Sequence, residues 1–204
     1  MSIVVHEPAG SVTHAVQVAA PPELCFALVA DVTEAPRYFP SHLHAEVEPA
    51  DDGRELVHRW VVGPGGAVRD WRAERVVDRA ARRIVFGHAG DRAPVTATHG
   101  EWTFAAGDGD TCLVTLVHTL TVEGRADAEA VRVAVAEVDR AAAAQVEQLR
   151  RVAESFAELT ARTVCVEDSV LVACAADGAW RRLVAAAGDL PGAGYAGLPR
   201  RRVV

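Results

Sequence analysis

A change in hydrophobic period near residue 127 divides this sequence into two kinds of structure. Before it, apolar and polar residues alternate in short segments, which is the pattern of half-buried strands. After it, from Asp127 to about Thr160, valines and leucines recur every three or four residues and charges occupy the opposite face. The second segment predicts one amphipathic helix of about 50 Å, at roughly 1.5 Å per residue if it is unbroken. Asp127 is its expected N-cap.

The part before residue 127 predicts strands, with one early helix between the first strand and the others. Residues Val12 to Ala20 alternate as a strand does, and Pro21-Pro22-Glu23 begins a helix because proline is tolerated in a first helical turn. The hairpin turn Gly107-Asp108-Gly109-Asp110 and other short connections favour an antiparallel meander. Six strands are expected in it: His44–Pro49, Glu55–Val62, Val68–Val77, Arg83–His88, Pro94–Ala105 and Thr111–Val122.

Strand, helix, meander and long C-terminal helix together predict an α+β helix-grip fold over residues 1–162. In this fold a curved antiparallel sheet wraps around the long helix and leaves a cavity between them. No run of about 18 apolar residues occurs, so no membrane span is expected. The N-terminus lacks a basic region followed by an apolar one, which favours a cytoplasmic protein. The formal charge of −7 argues against nucleic acid as the main partner.

The residues after the long helix resemble the beginning of the chain. At one constant offset, Asp168–Trp180 repeats the valines, the acid at the helix start and the aromatic residue of His14–Phe26. Residues 163–204 therefore predict one strand and one helix of a truncated second repeat. Such a piece cannot bury a core alone, so it should pack on the first domain, pair with another chain or stay partly disordered. A chance similarity of two strand–helix units is the alternative.

The cysteines and histidines form no recognisable metal or redox motif. His42 and His44 lie two apart on a strand, but no third ligand is evident, so neither a metal site nor a cofactor is expected. The four cysteines are widely spaced, without a C-x-x-C pair, and should be buried reduced thiols. They are Cys25, Cys112, Cys165 and Cys174.

Five short motifs occur in a characteristic order along residues 10–160. They are Ala19-Ala20-Pro21-Pro22-Glu23, Ala30-Asp31-Val32, Val68-Arg69-Asp70-Trp71-Arg72-Ala73-Glu74-Arg75-Val76-Val77-Asp78, Gly100-Glu101-Trp102 and Val138-Asp139-Arg140. In order and spacing they resemble the START-like aromatase/cyclases of bacterial type II polyketide synthases. One branch of that family has two tandem helix-grip domains, and this chain looks like that form cut off early in its second domain. The resemblance implies regioselective closure of the first ring of a carrier-bound poly-β-ketone, followed by dehydration and aromatisation.

Arg75 and His118 are the candidate catalytic residues. Trp71 and Arg75 share one face of a strand, so if Trp71 points into the cavity Arg75 does too. A buried guanidinium needs a partner or a ligand. His118 shares a face with apolar residues that should lower its pKa, and a neutral imidazole is a suitable general base. The family resemblance implies a functional role for both. The alternatives are an arginine that pairs with a carboxylate or lies at the rim, and a hydrogen-bonded core histidine.

Substrate-binding walls are expected from flat apolar side chains and from one residue of the long helix. The resemblance places an Asn, a Ser and then an acid after Asp-Arg on that helix, where this sequence has Ala141, Ala142 and Gln145. Gln145 can exchange hydrogen bonds with a substrate, but it cannot accept a proton at physiological pH. The aromatic candidates, all of which could instead be ordinary core, are Trp60, Trp71, Trp102 and Phe39.

The resemblance implies an acyl carrier protein and other polyketide synthase components as partners. An acidic carrier could bind the densest basic region, which is otherwise a solvated surface with local ion pairs. That region contains Arg69, Arg72, Arg79, Arg82 and Arg83. Two other functions stay open. One is a non-catalytic cavity for a polyketide or another apolar ligand, and the other is a half-protein that forms a homodimer or binds a partner chain through residues 163–204.

Overall fold

A curved sheet of seven antiparallel strands and one long helix account for most of the described residues in the computed structural model. The structure describes residues 6–50, 53–63, 66–89, 93–124, 126–162 and 173–187. The strands are β1 His6–Val18, β2 His42–Pro49, β3 Glu55–Val62, β4 Val68–Asp78, β5 Arg83–Ala89, β6 Val95–Ala106 and β7 Cys112–Glu123. The helices are α1 Pro22–Ala30, α2 Ala35–Tyr38, α3 Ala128–Glu154, α4 Phe156–Arg162 and α5 Ala176–Ala187, with a 3-10 turn at Val32–Glu34.

The sheet order is β1-β7-β6-β5-β4-β3-β2, so the predicted antiparallel meander is confirmed and β1 joins it beside β7. The bounds of β3 are those predicted, and those of β2 and β4–β7 differ by one or two residues at an end. β1 begins earlier than the alternating pattern indicates. The register shifts between Pro8 and Gly10, and this irregularity interrupts the alternation that marks a strand in the sequence.

The concave face of the sheet and the helices α1 and α3 enclose the core. α3 packs mainly against β1 and β7, and α1 packs against β6, β7 and α3. Val18 of β1, Leu116 of β7 and Leu149 of α3 are each at most 2% exposed. Each such aliphatic side chain stabilises the fold by about 1.5–3 kcal/mol relative to its exposed state. This packing holds the long helix across one end of the sheet and leaves a cavity beside it.

The predicted long helix is interrupted, which corrects the expectation of a single helix to Thr160. Asp127 is the N-cap, as predicted, and its side chain accepts a hydrogen bond of 3.0 Å from the Ala130 amide. α3 then runs for 27 residues, or about 40 Å. At Ser155, with φ −103° and ψ 11°, the backbone leaves the helical conformation, although the Ser155 hydroxyl and amide both donate to the Arg151 carbonyl. The ring of Phe156, which follows the break, lies 5.2 Å from that of Tyr38.

Beyond α4 the structure describes α5 alone. This helix corresponds to the predicted helix of the second repeat, whereas the predicted strand lies almost wholly outside the described residues. Cys25 and Cys112 are buried free thiols as expected; Cys174 is exposed, contrary to expectation, and Cys165 lies outside the described residues. Within the described ranges, no helix combines the length and apolarity that crossing a bilayer requires.

Candidate active site

The cavity between the sheet and α3 consists of three adjoining pockets. We name them the α1 pocket (about 250 Å³), the central pocket (about 130 Å³) and the α3 pocket (about 440 Å³). The central pocket shares Arg59, Trp71 and Trp102 with the α1 pocket, and His88 and His118 with the α3 pocket. Because neighbouring pockets share lining residues, they adjoin in one row in the order α1, central and α3, and we call this row the cavity. Gln145 of α3 lines all three.

Most of the predicted aromatic walls lie in this cavity. Trp71 and Trp102 line both the α1 and the central pockets, and Phe39 lines the α1 pocket. The prediction that Trp60 lines the cavity is wrong, because Trp60 borders none of the three pockets. Strand alternation directs Arg59 into the cavity and Trp60 to the other face of β3, where the Trp60 ring lies 3.7 Å from that of His58.

Arg75 lines the central pocket together with Trp71, as the alternation on β4 predicts. Its side chain is only 6% exposed, and its N–H groups donate hydrogen bonds to other groups of the protein. Nε and Nη2 lie 2.7 and 2.6 Å from the same Oε2 atom of Glu55, which is directly across the ladder on β3. Nη2 also donates to the Ala30 carbonyl at 2.8 Å, and Nη1 to the Val29 carbonyl at 3.5 Å. Arg75 therefore joins β4, β3 and the C-terminal end of α1, where a cation is favoured.

His118 is buried in the wall that the central and α3 pockets share. Burial lowers the pKa of its imidazole to about 4, with smaller contributions from His88 and His14, so the predicted direction of the shift is confirmed. At neutral pH the ring is uncharged. Its buried Nδ1 has no hydrogen-bond partner among the described residues. His118 is thus a neutral imidazole with an unused nitrogen inside the cavity wall.

A glycine permits the packing around His118. Gly100 lies opposite His118 on β6, and the edge-to-face ring of Phe86 is 5.4 Å from the imidazole. A Cβ atom at Gly100 would overlap the tip of the Phe86 ring. The absence of a side chain at position 100 therefore lets Phe86 cover His118 and exclude water from it.

Arg59 is a cavity residue that the sequence analysis did not single out. It lines the central and α1 pockets, and in the described part of the chain its guanidinium forms no hydrogen bond or ion pair. Burial first, and repulsion by Arg75 second, lower its pKa to about 10, so it is still charged at neutral pH. Burial and the charge of Arg59 lower the pKa of nearby His42 to about 4. The sequence carries a signal for Arg59, because a charged residue between Val57 and Val61 interrupts an apolar face of β3.

The helix residues and the basic region are placed as follows. Ala141 lines the α3 pocket, whereas Ala142 is fully buried in the core.

Three arginines of the basic region form local ion pairs: Arg79 with Asp31, Arg82 with Glu23, and Arg83 with Glu101. Among the described residues, no three side chains of His, Cys, Asp or Glu converge as metal ligands.

Comparison with known proteins matches residues 18–147 to the family described as polyketide cyclase/dehydrase and lipid transport. The chain is 36% identical over 143 residues to the granaticin polyketide synthase bifunctional cyclase/dehydratase of Streptomyces violaceoruber, which covers 70% of this chain and 43% of that protein. It is 32% identical over 107 residues to the actinorhodin polyketide synthase bifunctional cyclase/dehydratase of Streptomyces coelicolor, covering 52% of this chain and 33% of that protein. The chain thus spans less than half the length of these curated relatives.

Solved structures with the same fold include aromatase/cyclases. The di-domain ARO/CYC StfQ from the steffimycin biosynthetic pathway matches with a TM-score of 0.69 and 31% identity, over 84% of this chain and 54% of that one. The Zhui aromatase/cyclase from Streptomyces sp. R1128 matches with a TM-score of 0.62 and 25% identity, over 76% and 99%. A START superfamily protein from Mycobacterium smegmatis, at 18% identity and a TM-score of 0.54 over 74% and 98%, shares the fold. The predicted START-like helix-grip fold is confirmed, and the chain belongs to the polyketide cyclase/dehydrase and lipid transport family.

Proposed function

We propose that this domain closes the first ring of a carrier-bound poly-β-ketone in one register and promotes the dehydration that aromatises it. The observation that carries the proposal is a buried, neutral His118 in a cavity that two arginines and flat aromatic side chains also line. The relatives whose names include cyclase/dehydratase activity support the same reaction class.

Binding would restrict the flexible chain before any chemistry. Trp71, Trp102 and Phe39 give the cavity flat apolar surfaces, against which a polyketide can lie in few conformations. Gln145 is positioned to exchange hydrogen bonds with the ketone oxygens in any of the three pockets. Holding the reacting carbons together lowers the entropic part of the barrier and selects which carbons are joined.

His118 would move the protons of the reaction. It removes a proton from a carbon between two ketones, and the enolate carbon attacks a carbonyl carbon elsewhere on the chain. A C–C bond forms, and the attacked oxygen takes up a proton and becomes a hydroxyl group. Loss of a second C–H proton together with that hydroxyl group releases one water. The low pKa of His118 leaves its imidazole free to accept each proton and makes its protonated form a strong proton donor to the leaving group.

Arg75 would stabilise the negative charge of the enolate and of the attacked oxygen electrostatically, without a direct hydrogen bond. Its N–H groups already bind Glu55 and the α1 carbonyls, so the guanidinium does not need to leave its partners. The Glu55 carboxylate offsets part of this positive charge. Arg75 should accordingly contribute less oxyanion stabilisation than an unpaired guanidinium in the same pocket would.

The proposed setting is a cytoplasmic polyketide synthase in which an acyl carrier protein delivers the substrate. The family relatives support other synthase components as partners. The ion pairs of Arg79, Arg82 and Arg83 reduce the free positive charge available to an acidic carrier. A homodimer or a partner chain bound through residues 163–204 remains part of the proposal, since the longer relatives extend beyond the matched region.

Reconstitution tests this function. The protein is combined with a minimal polyketide synthase, its ketoreductase and carrier protein, and the products are compared for wild type, His118→Ala and the control His58→Ala. His58 lies outside the cavity, where it contacts Asp70 at 2.8 Å. We expect wild type and H58A to shift the shunt products to one aromatised ring, and H118A to lose this shift. A wild-type profile equal to that of the synthase alone would contradict the proposal.

A second candidate function is a binding protein without turnover. Gln145 stands where the family resemblance places an acid, and a histidine with a pKa of about 4 is a weak base. In that case the cavity would bind polyketides or their aromatic products, and binding would persist without any change in the product profile. Affinity measured by tryptophan fluorescence, alongside the reconstitution, separates the two functions.

A further inference from the structure

The two arginines of the cavity differ in their partners. Arg75 gives its donors to Glu55, Ala30 and Val29. Arg59 has no hydrogen bond or ion pair in the described part of the chain. Burial is nevertheless the largest cause of its lowered pKa. A guanidinium with five N–H donors is costly to bury without an acceptor. In the described part of the chain the Arg59 donors are therefore left to bind an acceptor that enters the cavity.

The charge of the surrounding wall favours an anionic acceptor. Among the described side chains that line the central and α1 pockets, two are arginines and none is a carboxylate. His42, which also lines the α1 pocket, is kept neutral by burial and by Arg59. The positive charge of Arg75, which Glu55 offsets only in part, repels that of Arg59. An anion that enters the cavity would relieve this repulsion and provide the missing acceptor.

From these contacts we infer that Arg59 is an oxyanion-binding residue that takes the two oxygens of a 1,3-dicarbonyl enolate. The inference rests on the proposed function, because that function supplies such an enolate. A 1,3-dicarbonyl enolate is planar and spreads one negative charge over two oxygens, which matches the planar fork of a guanidinium. Trp71 is directly across the ladder from Arg59, and its indole offers the planar enolate an apolar surface.

The position of Arg59 gives it a second role in selecting the register. It lies in the wall between the α1 and central pockets, while His118 lies between the central and α3 pockets. A dicarbonyl unit held on Arg59 fixes one point of the polyketide chain, and the length of the central pocket then decides which carbon reaches His118. Arg59 thus determines which proton is removed as well as stabilising the charge that remains.

A small diketone tests this without turnover. Benzoylacetone is titrated in the presence of wild type, Arg59→Met, Arg59→Lys and the exposed control Arg83→Met, and the enolate is followed by its ultraviolet absorbance. We expect wild type and R83M to lower the apparent pKa of the bound diketone by about one unit, equivalent to roughly tenfold tighter binding of the enolate than of the neutral form. R59M should abolish the shift, and R59K should keep only part of it because the fork is lost.

A comparison with wild type alone guards against a misfolded variant. Butyrophenone lacks the second carbonyl and forms no enolate in this range, so its affinity should not change with pH, whereas that of benzoylacetone should rise as its enolate forms. An equal pKa shift in R59M and wild type, or a flat pH dependence for benzoylacetone, would overturn the inference. If the shift requires Arg59 but reconstitution gives no cyclised product, the proposed cyclase function fails while the anion site stands.

Discussion

The Arg75 guanidinium and the Glu55 carboxylate face each other across the β3–β4 ladder, with two nitrogen atoms on one carboxylate oxygen at 2.7 and 2.6 Å. The arginine side chain is 6% exposed and the glutamate side chain 30% exposed, so the pair lies at the edge of the cavity and shields the arginine from water. Removing one partner leaves the other charge partly buried without an opposite charge. This destabilises a protein more than replacing both partners does.

Glu55→Gln should therefore destabilise the fold. We expect the free energy of unfolding to fall by about 2–3 kcal/mol, measured by urea denaturation. The control is Glu74→Gln, which removes the partner of Arg54 in an exposed pair and should cost less than about 1 kcal/mol. The double variant Glu55→Gln/Arg75→Met should recover part of the loss. Equal effects of E55Q and E74Q would contradict this account.

His118 should make stability depend on pH. Its native pKa of about 4 lies below the ordinary value of 6.5, so the unfolded chain binds a proton that the native protein excludes. The free energy of unfolding should therefore fall as pH decreases from about 6.5 to 4, by on the order of 3 kcal/mol from this group. Urea denaturation between pH 7 and 4 measures it. His118→Gln should remove this contribution, while His42, whose pKa is also lowered to about 4, should keep a similar one over the same range. A His118 titration midpoint near 6.5 by NMR would refute the prediction.

Gln145→Glu should increase the rate of aromatised product formation in the reconstituted synthase. The change puts a proton acceptor on α3 at a position that lines all three pockets. A positioned base typically contributes more than tenfold, so we expect a rise of roughly tenfold if proton removal limits the rate. Gln148→Glu, which alters a residue of the α1 pocket alone, is the matched control. No rise in Q145E would show that proton removal by His118 is not limiting.

Gly100→Ala should destabilise the fold and disturb His118. The new methyl group overlaps the Phe86 ring, which must move away from the imidazole, and such overpacking costs about 1–3 kcal/mol. Gly10→Ala is the control, since its new methyl group would meet only an ordinary contact at 3.7 Å. Unfolding curves and the NMR pKa of His118 measure both effects. The shorter side chain in Gly100→Ala/Phe86→Leu should restore stability, and a failure to do so would indicate another cause.

The sequence predicted the meander and the long helix because their periods are set by burial on one face. The sequence could not predict which face of β3 points into the cavity. Leu56, Trp60 and Val62 lie on one face, and Val57 and Val61 lie on the other. Apolar residues on both faces leave the direction of the strand undetermined, so Trp60 was expected in the cavity and Arg59 was overlooked. The sequence also could not predict the partner of Arg75. Glu55 lies opposite Arg75 only in one register of the two strands, and the β3–β4 turn sets that register.

The break in the long helix has a similar origin. The three-and-four spacing continues through Ser155, so the period alone gives no sign of an end. The interruption is a local change of the backbone at Ser155, where φ is −103° and ψ is 11°, and the spacing of the apolar residues carries no information about it.

Gln145 reaches all three pockets from a single position on α3. Any substitution there alters all three pockets at once. If the cavity binds the proposed polyketide, natural variation at this position would change the length of chain accepted together with the place where the ring closes. Relatives that differ at this residue should therefore differ in both properties together, whereas changes at Phe39 or Val133, each of which borders one pocket, can vary them separately.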